Sequence, residues 1–332
     1  MRLVGADAID AVLSFPALID ALAAAFRGDW TAPPRHHHTV AGGTDPDATL
    51  LLMPAWTDDA PGAGFVGTKI VSVFPGNSAR RLPAVSGLYL LLDGATGAPV
   101  LVLDGSRLTL WRTAAASALA ASRLARADSS RMVMVGAGAL APFLVRAHAS
   151  VRPIREVLVW NRTVAAAVRV AAELSTDGLQ ASATDDLEAA VRGADLVSCA
   201  TLSPTPVVHG AWLRPGCHLD LVGAFTPKTR EADDEAVRRA SVFVDTRAGG
   251  LTEAGDIVLP LASGVIGRDH VRGDLFDLCR GTVPGRTSAN EITLFKSVGT
   301  ALEDLAAAIL VSQAGCFSAE ASAECDGPAS VS

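Results

Sequence analysis

Apolar residues recur at Phe15, Leu18, Ile19, Leu22 and Phe26, the spacing of one helix face, between the capping residue Ser14 and the stop at Gly28. The spacing predicts a helix over 14–28. The period then shortens. Segments 49–56 (TLLLMPAW), 64–74 (GFVGTKIVSVF), 88–93 and 100–104 read as strands, the last two joined by the turn-forming GATGAP, and together they predict a mixed or antiparallel sheet. An Ala-rich stretch without a turn signal, 106–126, predicts a connecting helix leading out of this first unit. From 131 to 245 short apolar runs (RMVMV, EVLVW, LQAS, ADLVSCA, CHLDLVG, SVFVD) alternate with helical stretches. That alternation belongs to a parallel sheet with helices on both faces. A helix over 291–311 closes the ordered chain, and 318–332 reads as a small, polar, loose tail.

Composition narrows the classes. With 332 residues, 49% hydrophobic and 19% charged, the chain has room for two packed domains. A net charge of -7 without a basic stripe argues against nucleic acid and anionic membrane as partners. No apolar run approaches the ~18–20 residues of a membrane span, and the start MRLVGADAID lacks a signal-peptide pattern, so a cytoplasmic protein is expected. Cys199, Cys217, Cys279, Cys316 and Cys325 are scattered, never at zinc or CxxC spacing, and read as structural thiols.

The sharpest local motif is VMVGAGALA. Gly136, Ala137, Gly138, Ala139 and Leu140 follow a strand and lead into a helix, and Gly136, Gly138 and Ala141 form a GxGxxA. The first Gly permits the tight turn, the second lets backbone approach a pyrophosphate, and the small third residue lets the helix pack on the strand. The next strand ends in Asn161, Arg162 and Thr163, with no carboxylate for the two ribose hydroxyls. A guanidinium there suits a 2′-phosphate, which makes NADPH the expected cofactor, while a merely solvated Arg162 leaves NADH usable.

In GFVGTKIVSVF, period two puts Phe65, Gly67, Lys69, Val71 and Val73 on one face, so Lys69 is a lone ammonium among apolar neighbours. A bound carboxylate is one remedy for its burial, and a stem reaching along the sheet to water is another. Arg112, at the head of the Ala-rich stretch, reads from its own context as a solvated helix residue. His36, His37 and His38 do not suggest a metal, because at most two of three consecutive extended residues converge and no acidic or Cys partner has ligand spacing. A polar wall near a substrate mouth is the reading kept for them.

Stretches in order along nearly the whole chain resemble the ornithine cyclodeaminase/mu-crystallin family: PPR at 33–35, LMPAW at 52–56, GTKIVSVFPGN at 67–77, LWRTAA at 110–115, VGAGALA, CATLSPTPVV at 199–208 and ITLFKSVGTALEDLA at 292–306. The resemblance implies an α/β fold in which a Rossmann-type doubly wound sheet, residues 118–293, is inserted into a mixed α+β substrate and dimerisation domain, 1–117 plus 294–332. A homodimer, an imino or amino acid substrate and a nicotinamide cofactor come with it. By motif position it implies Arg35, Lys69 and Arg112 as the carboxylate-binding and catalytic cations. It implies Met53 and Phe225 beside the substrate, and Ala200, Thr201, Val222, Gly223, Lys296 and Ser297 beside the cofactor. Glu253 and Asp256 in LTEAGDIV resemble an acidic segment of the family, and read as well as solvated loop carboxylates.

One departure selects among the family's activities. Ornithine cyclodeaminases resemble one another around VGGDxPGKxEL, where the Asp is carried as catalytic; this chain reads VGAFTPKTREADD, with Phe225 at that place. Phenylalanine moves no proton, and the form is similar to that of Δ1-pyrroline-2-carboxylate reductases. Lys228 and Thr229 differ from the usual reductase residues. Reduction of a cyclic ketimine carboxylate is therefore the expected activity, with ornithine cyclodeamination, alanine dehydrogenase-type chemistry, or a non-enzymatic NADPH-binding role as alternatives.

Overall fold

The computed structural model describes residues 1–43, 46–58 and 64–314; the expected loose tail 318–332, Cys316 and Cys325 lie outside them. Two sheets carry the chain. The first runs in the order β1 (Arg2–Val4), β6 (Pro99–Asp104), β5 (Val85–Asp93), β4 (Phe65–Val73), β3 (Ala48–Trp56) and β2 (His36–Val40). Only β1 and β6 pair in parallel; the rest is antiparallel. The short strands β1 and β2 had no periodic signal strong enough to be read.

The second sheet has the order β13 (Val271–Asp274), β12 (Ser241–Val244), β14 (Thr293–Lys296), β11 (His218–Leu221), β10 (Leu196–Cys199), β7 (Arg131–Val135), β8 (Glu156–Trp160) and β9 (Gln180–Ala183). Every pairing in it is parallel. Alternate residues of β7 show the two covered faces. Met132 and Met134 belong to the core shared with helices Ala141–Val151 and Val164–Thr176, whereas Val133 and Val135 pack with Leu187–Gly193 and Asp234–Arg239. This is the doubly wound α/β sheet that the alternating runs predicted.

Three helices tie the sheets together. Phe15–Arg27, Gly105–Leu124 and Ala301–Gln313 pack on one another, and the last lies across β3, β4 and β5. The linking helix Gly105–Leu124 starts where the Asp104 carboxylate accepts the Arg107 amide at 2.8 Å. Further along, Ser117 donates to Asp220 on β11 at 2.8 Å, and the same buried carboxylate accepts Ser198 at 2.6 Å and meets His148 Nε2 at 3.1 Å. A division at residue 118 therefore falls inside a continuous helix that belongs to both units.

The chain returns later than expected as well. The stretch 291–311 is not one helix: Thr293–Lys296 is a strand in the middle of the second sheet, and the helix begins at Ala301 after Gly299, whose φ is +80°. A short apolar run such as ITLF fits either period, and a boundary at 294 cuts through β14. Among the described residues no single helix is long and apolar enough to cross a membrane; Ala6–Val12 and Phe15–Arg27 would suffice together in length and composition, but meet at 87°.

Candidate active site

A cavity of about 530 Å³ lies between the two units. One wall is the inner face of the first sheet with the head of the linking helix, and it carries Arg35, Met53, Lys69, Thr109 and Arg112. The other is built from the loops that follow β7, β10, β11 and β14. Gly138, Ala139 and Leu140 come from the first, Ala200 and Thr201 from the second, Val222, Gly223 and Phe225 from the third, and Ser297 from the fourth. These loops stand at the carboxyl ends of the parallel strands, beside the point where strand order reverses, where such sheets receive ligands.

Lys69 lines this cavity, buried, on the face the alternation assigned to it, with Met53 and Tyr89 as cross-strand partners. It is not a lone charge. Asp304, from the last helix, approaches Nζ at 2.7 and 2.9 Å, and Thr109 Oγ lies at 3.4 Å. Arg112 is not solvated either: Nη1 donates to Glu303 at 2.6 Å and Nε lies 3.1 Å from Asp304. Gly299 packs against that guanidinium so closely that a Cβ would meet Arg112 Nη1 at 2.2 Å. Glu303 and Asp304 are fully buried and do not line the cavity, so they act on the cations from behind.

Burial sets the charge of this group. Desolvation, with Arg112 nearby, lowers the Lys69 ammonium to about 8 although Asp304 opposes the change. The Glu303 carboxyl is raised by burial to about 7, against the pull of Arg112. Near neutral pH Lys69 therefore keeps its proton, and Glu303 is partly protonated. Arg35 donates to the carbonyls of Val298, at 3.1 Å, and Gly299, and pairs with Glu253 at 3.4 Å.

A second, smaller cavity of about 380 Å³ adjoins the first and is lined by Gly136, Ala137, Asn161, Arg162 and Thr163. Gly136 has φ +107°, and a Cβ there would meet the Ala200 carbonyl oxygen at 2.6 Å, so only glycine permits this turn. Gly138 faces open space, and Leu140, which precedes the helix Ala141–Val151, offers it no side-chain cap. Asn161 accepts the Ala137 amide at 3.3 Å. Bare backbone, a helix start without a side-chain cap and an exposed guanidinium fit a dinucleotide with its pyrophosphate at the glycines.

Three sequence-derived placements need correction. Lys296 lines neither cavity; it is fully buried and pairs with Asp256 at 3.1 Å, because β14 turns its side chain beneath the loops rather than into the opening. Asp256 is thereby no solvated loop carboxylate, while Glu253 holds Arg35. The histidines form an exposed edge strand and none lines the cavity; His36 and His38 stand opposite Leu52 and Leu50, on the face away from Lys69. Sequence reading missed Glu303 and Asp304. Their signal was two adjacent carboxylates interrupting the apolar helix ALEDLAAAIL.

A glycine crevice opening directly into a pocket of fixed, buried cations is the layout of a dinucleotide-dependent oxidoreductase acting on a small anion. Known proteins narrow this further. Residues 4–315 match the model of the ornithine cyclodeaminase/mu-crystallin family. A Δ1-pyrroline-2-carboxylate reductase of Paracoccus denitrificans is 45% identical over 263 residues, 78% of this chain and 81% of its own. The ketimine reductase mu-crystallin of Mus musculus is 34% identical over 264 residues, 79% of each chain. The solved structure of Thermococcus litoralis Δ1-pyrroline-2-carboxylate reductase in complex with NADH and L-proline superposes with a TM-score of 0.88 at 34% identity, covering 95% of this chain and 97% of that one. The chain belongs to the ornithine cyclodeaminase/mu-crystallin family.

The lowered Lys69 value gives a pH test. Below about 8 the group is charged and can hold an anion or give up a proton; above it the charge is gone. The wild-type kcat/KM should fall as pH rises through that region. Lys69→Arg keeps a cation that does not titrate, so its profile should lack this limb whatever its rate. An unchanged limb in Lys69→Arg would assign the titration to another group.

Proposed function

We propose that this NAD(P)H-dependent ketimine reductase reduces Δ1-pyrroline-2-carboxylate to L-proline, and Δ1-piperideine-2-carboxylate to L-pipecolate as a second substrate. The observation that carries the reading is the convergence of Arg35, Lys69 and Arg112 at the end of a largely apolar cavity, next to the glycine crevice, with Phe225 on the opposite wall. Arg35 and Arg112 hold the substrate carboxylate, and Lys69 fixes its orientation and relays the proton. Phe225, 42% exposed, offers the ring an apolar wall where a cyclodeaminase resembling this chain carries an Asp. Bound in the crevice, the nicotinamide supplies the hydride taken up by the imine carbon.

A ketimine protonated on nitrogen is already an electrophile, and addition of hydride gives a neutral amine, so no strong base is needed at that step. Asp304 does not supply one to the substrate, since it is sealed behind Lys69 and Arg112. Its work is to keep both cations in place, and rate then follows from positioning. NADPH is the preferred cofactor in this reading, with Arg162 at the ribose phosphate and Asn161 and Thr163 as neutral neighbours.

The enzyme works as a homodimer. The outer face of the first sheet supports this: Leu52, Ile70, Leu88, Leu90 and Val102 lie across β3, β4, β5 and β6 on the side away from Lys69, and Leu88 is 41% exposed. An apolar sheet face of this kind is what a second copy would cover.

Three measurements test these statements. NADPH consumption should be fast with the two cyclic imines and negligible with pyruvate plus ammonia; robust ammonia release from ornithine without imine reduction would overturn the reading. Arg162→Ala should raise the KM for NADPH far more than that for NADH, and equal effects would remove Arg162 from phosphate recognition. Wild-type protein should sediment at twice the 34.1 kDa chain mass, and Leu88→Lys should shift it toward the single chain.

A further inference from the structure

A second buried ionic cluster, beneath the loops of the cofactor side, has no part in the chemistry above. The Glu231 carboxylate, with no solvent exposure, accepts four hydrogen bonds. One oxygen takes the Thr201 amide at 2.6 Å and the Thr201 hydroxyl at 3.0 Å; the other takes the amides of Gly223, at 2.7 Å, and Ala224, at 3.2 Å. These donors lie on two separate loops, after β10 and after β11, and Thr201 and Gly223 both line the cavity. The loops touch backbone to backbone. A Cβ on Gly223 would lie 2.0 Å from the Thr201 carbonyl oxygen, 2.2 Å from its nitrogen and 2.6 Å from Glu231 Oε1.

The countercharge comes from the end of β14, where a third loop begins. Lys296 Nζ stands 3.1 Å from Asp256 and 3.8 Å from Glu231, and Asp256 in turn accepts the amides of Glu231 at 2.7 Å and Ala232 at 3.0 Å. Directly after Lys296 come Ser297 and Val298, which also line the cavity, and Asp245 holds this loop by accepting the Ser297 hydroxyl at 3.1 Å and the amides of Val298 and Gly299.

We propose that Glu231, Lys296 and Asp256 form a positioning unit that sets Thr201 and Gly223 in the wall against which the reduced cofactor is held, so that they govern cofactor affinity and turnover without touching substrate or cofactor. A carboxylate serving stability alone has no need to span two loops whose shared feature is that wall. Burial raises the Glu231 carboxyl to about 7 with Lys296 opposing, so its charge depends on this cluster.

Glu231→Gln preserves shape but replaces one accepting oxygen by a donating amide, so one loop loses its acceptor. NADH dissociation is read by fluorescence in the absence of imine, and kcat, both KM values and melting temperature are read beside it. NADH affinity and kcat should each fall about tenfold or more, while the KM for the imine stays within about threefold. Glu231→Asp, which keeps the charge, should recover part of the loss. Lys296→Met should give the same pattern, and the double variant should be no worse than the poorer single one. Native NADH affinity and kcat in Glu231→Gln, an equal rise in both KM values, or additive losses in the double variant would each overturn the proposal. If the Gln variant does not fold, Glu231→Asp decides: raised NADH dissociation with an unchanged imine KM supports it, and native values overturn it. Because NADH binding is measured alone, the result stands whichever imine the enzyme reduces.

Discussion

The contact between Lys69 and Asp304 is the constraint on which the site depends. An ammonium or a carboxylate alone at this depth would be too costly to remain charged. Together, with Arg112 and Glu303 completing the group, they are stable enough to hold two cations in the wall of a largely apolar cavity. The residues of the pair are 235 positions apart, one on β4, an inner strand of the first sheet, and the other on the helix Ala301–Gln313. The whole second sheet lies between them in the chain, so the pair also fixes how the ends of the first unit close on each other.

Both walls of the cavity follow one design. Carboxylates stand behind the groups that face the opening: Asp304 and Glu303 behind Lys69 and Arg112, Glu231 behind Thr201 and Gly223, Asp245 behind Ser297 and Val298. None of the four lines the cavity. The surface offered to a small anion is thus cationic, hydroxyl-bearing or apolar, and the negative charge that orders it is kept out of reach. A reaction that asks mainly for orientation is well served by such fixed supports.

Much of this was legible in the chain. The strands β7 and β8 coincide with RMVMV and EVLVW, the glycine turn lies where GAGALA put it, and the face bearing Lys69 followed from period two. What escaped was long-range. Lys69 read as a lone charge because alternation shows which side of a strand a residue takes, not what another segment brings to it. Lys296 read as a cofactor contact because motif position carries no information on which way a buried side chain turns. In ITLFK, four residues of strand and a glycine stop were too short to outweigh the helical period that follows.

The place of β14 bears on how the molecule comes into being. This strand, emerging after all the other strands of both sheets, belongs between β11 and β12, where it pairs on both edges. Until it is made, the parallel sheet has a gap between β11 and β12, and until the helix after it is made, the inner face of the first sheet lacks the helix that lies across β3, β4 and β5. Contacts so distant in sequence belong to a slow folding class. A ribosome must therefore deliver the chain through Gln313 before either half can be completed, and the nascent chain exposes open sheet edges until then.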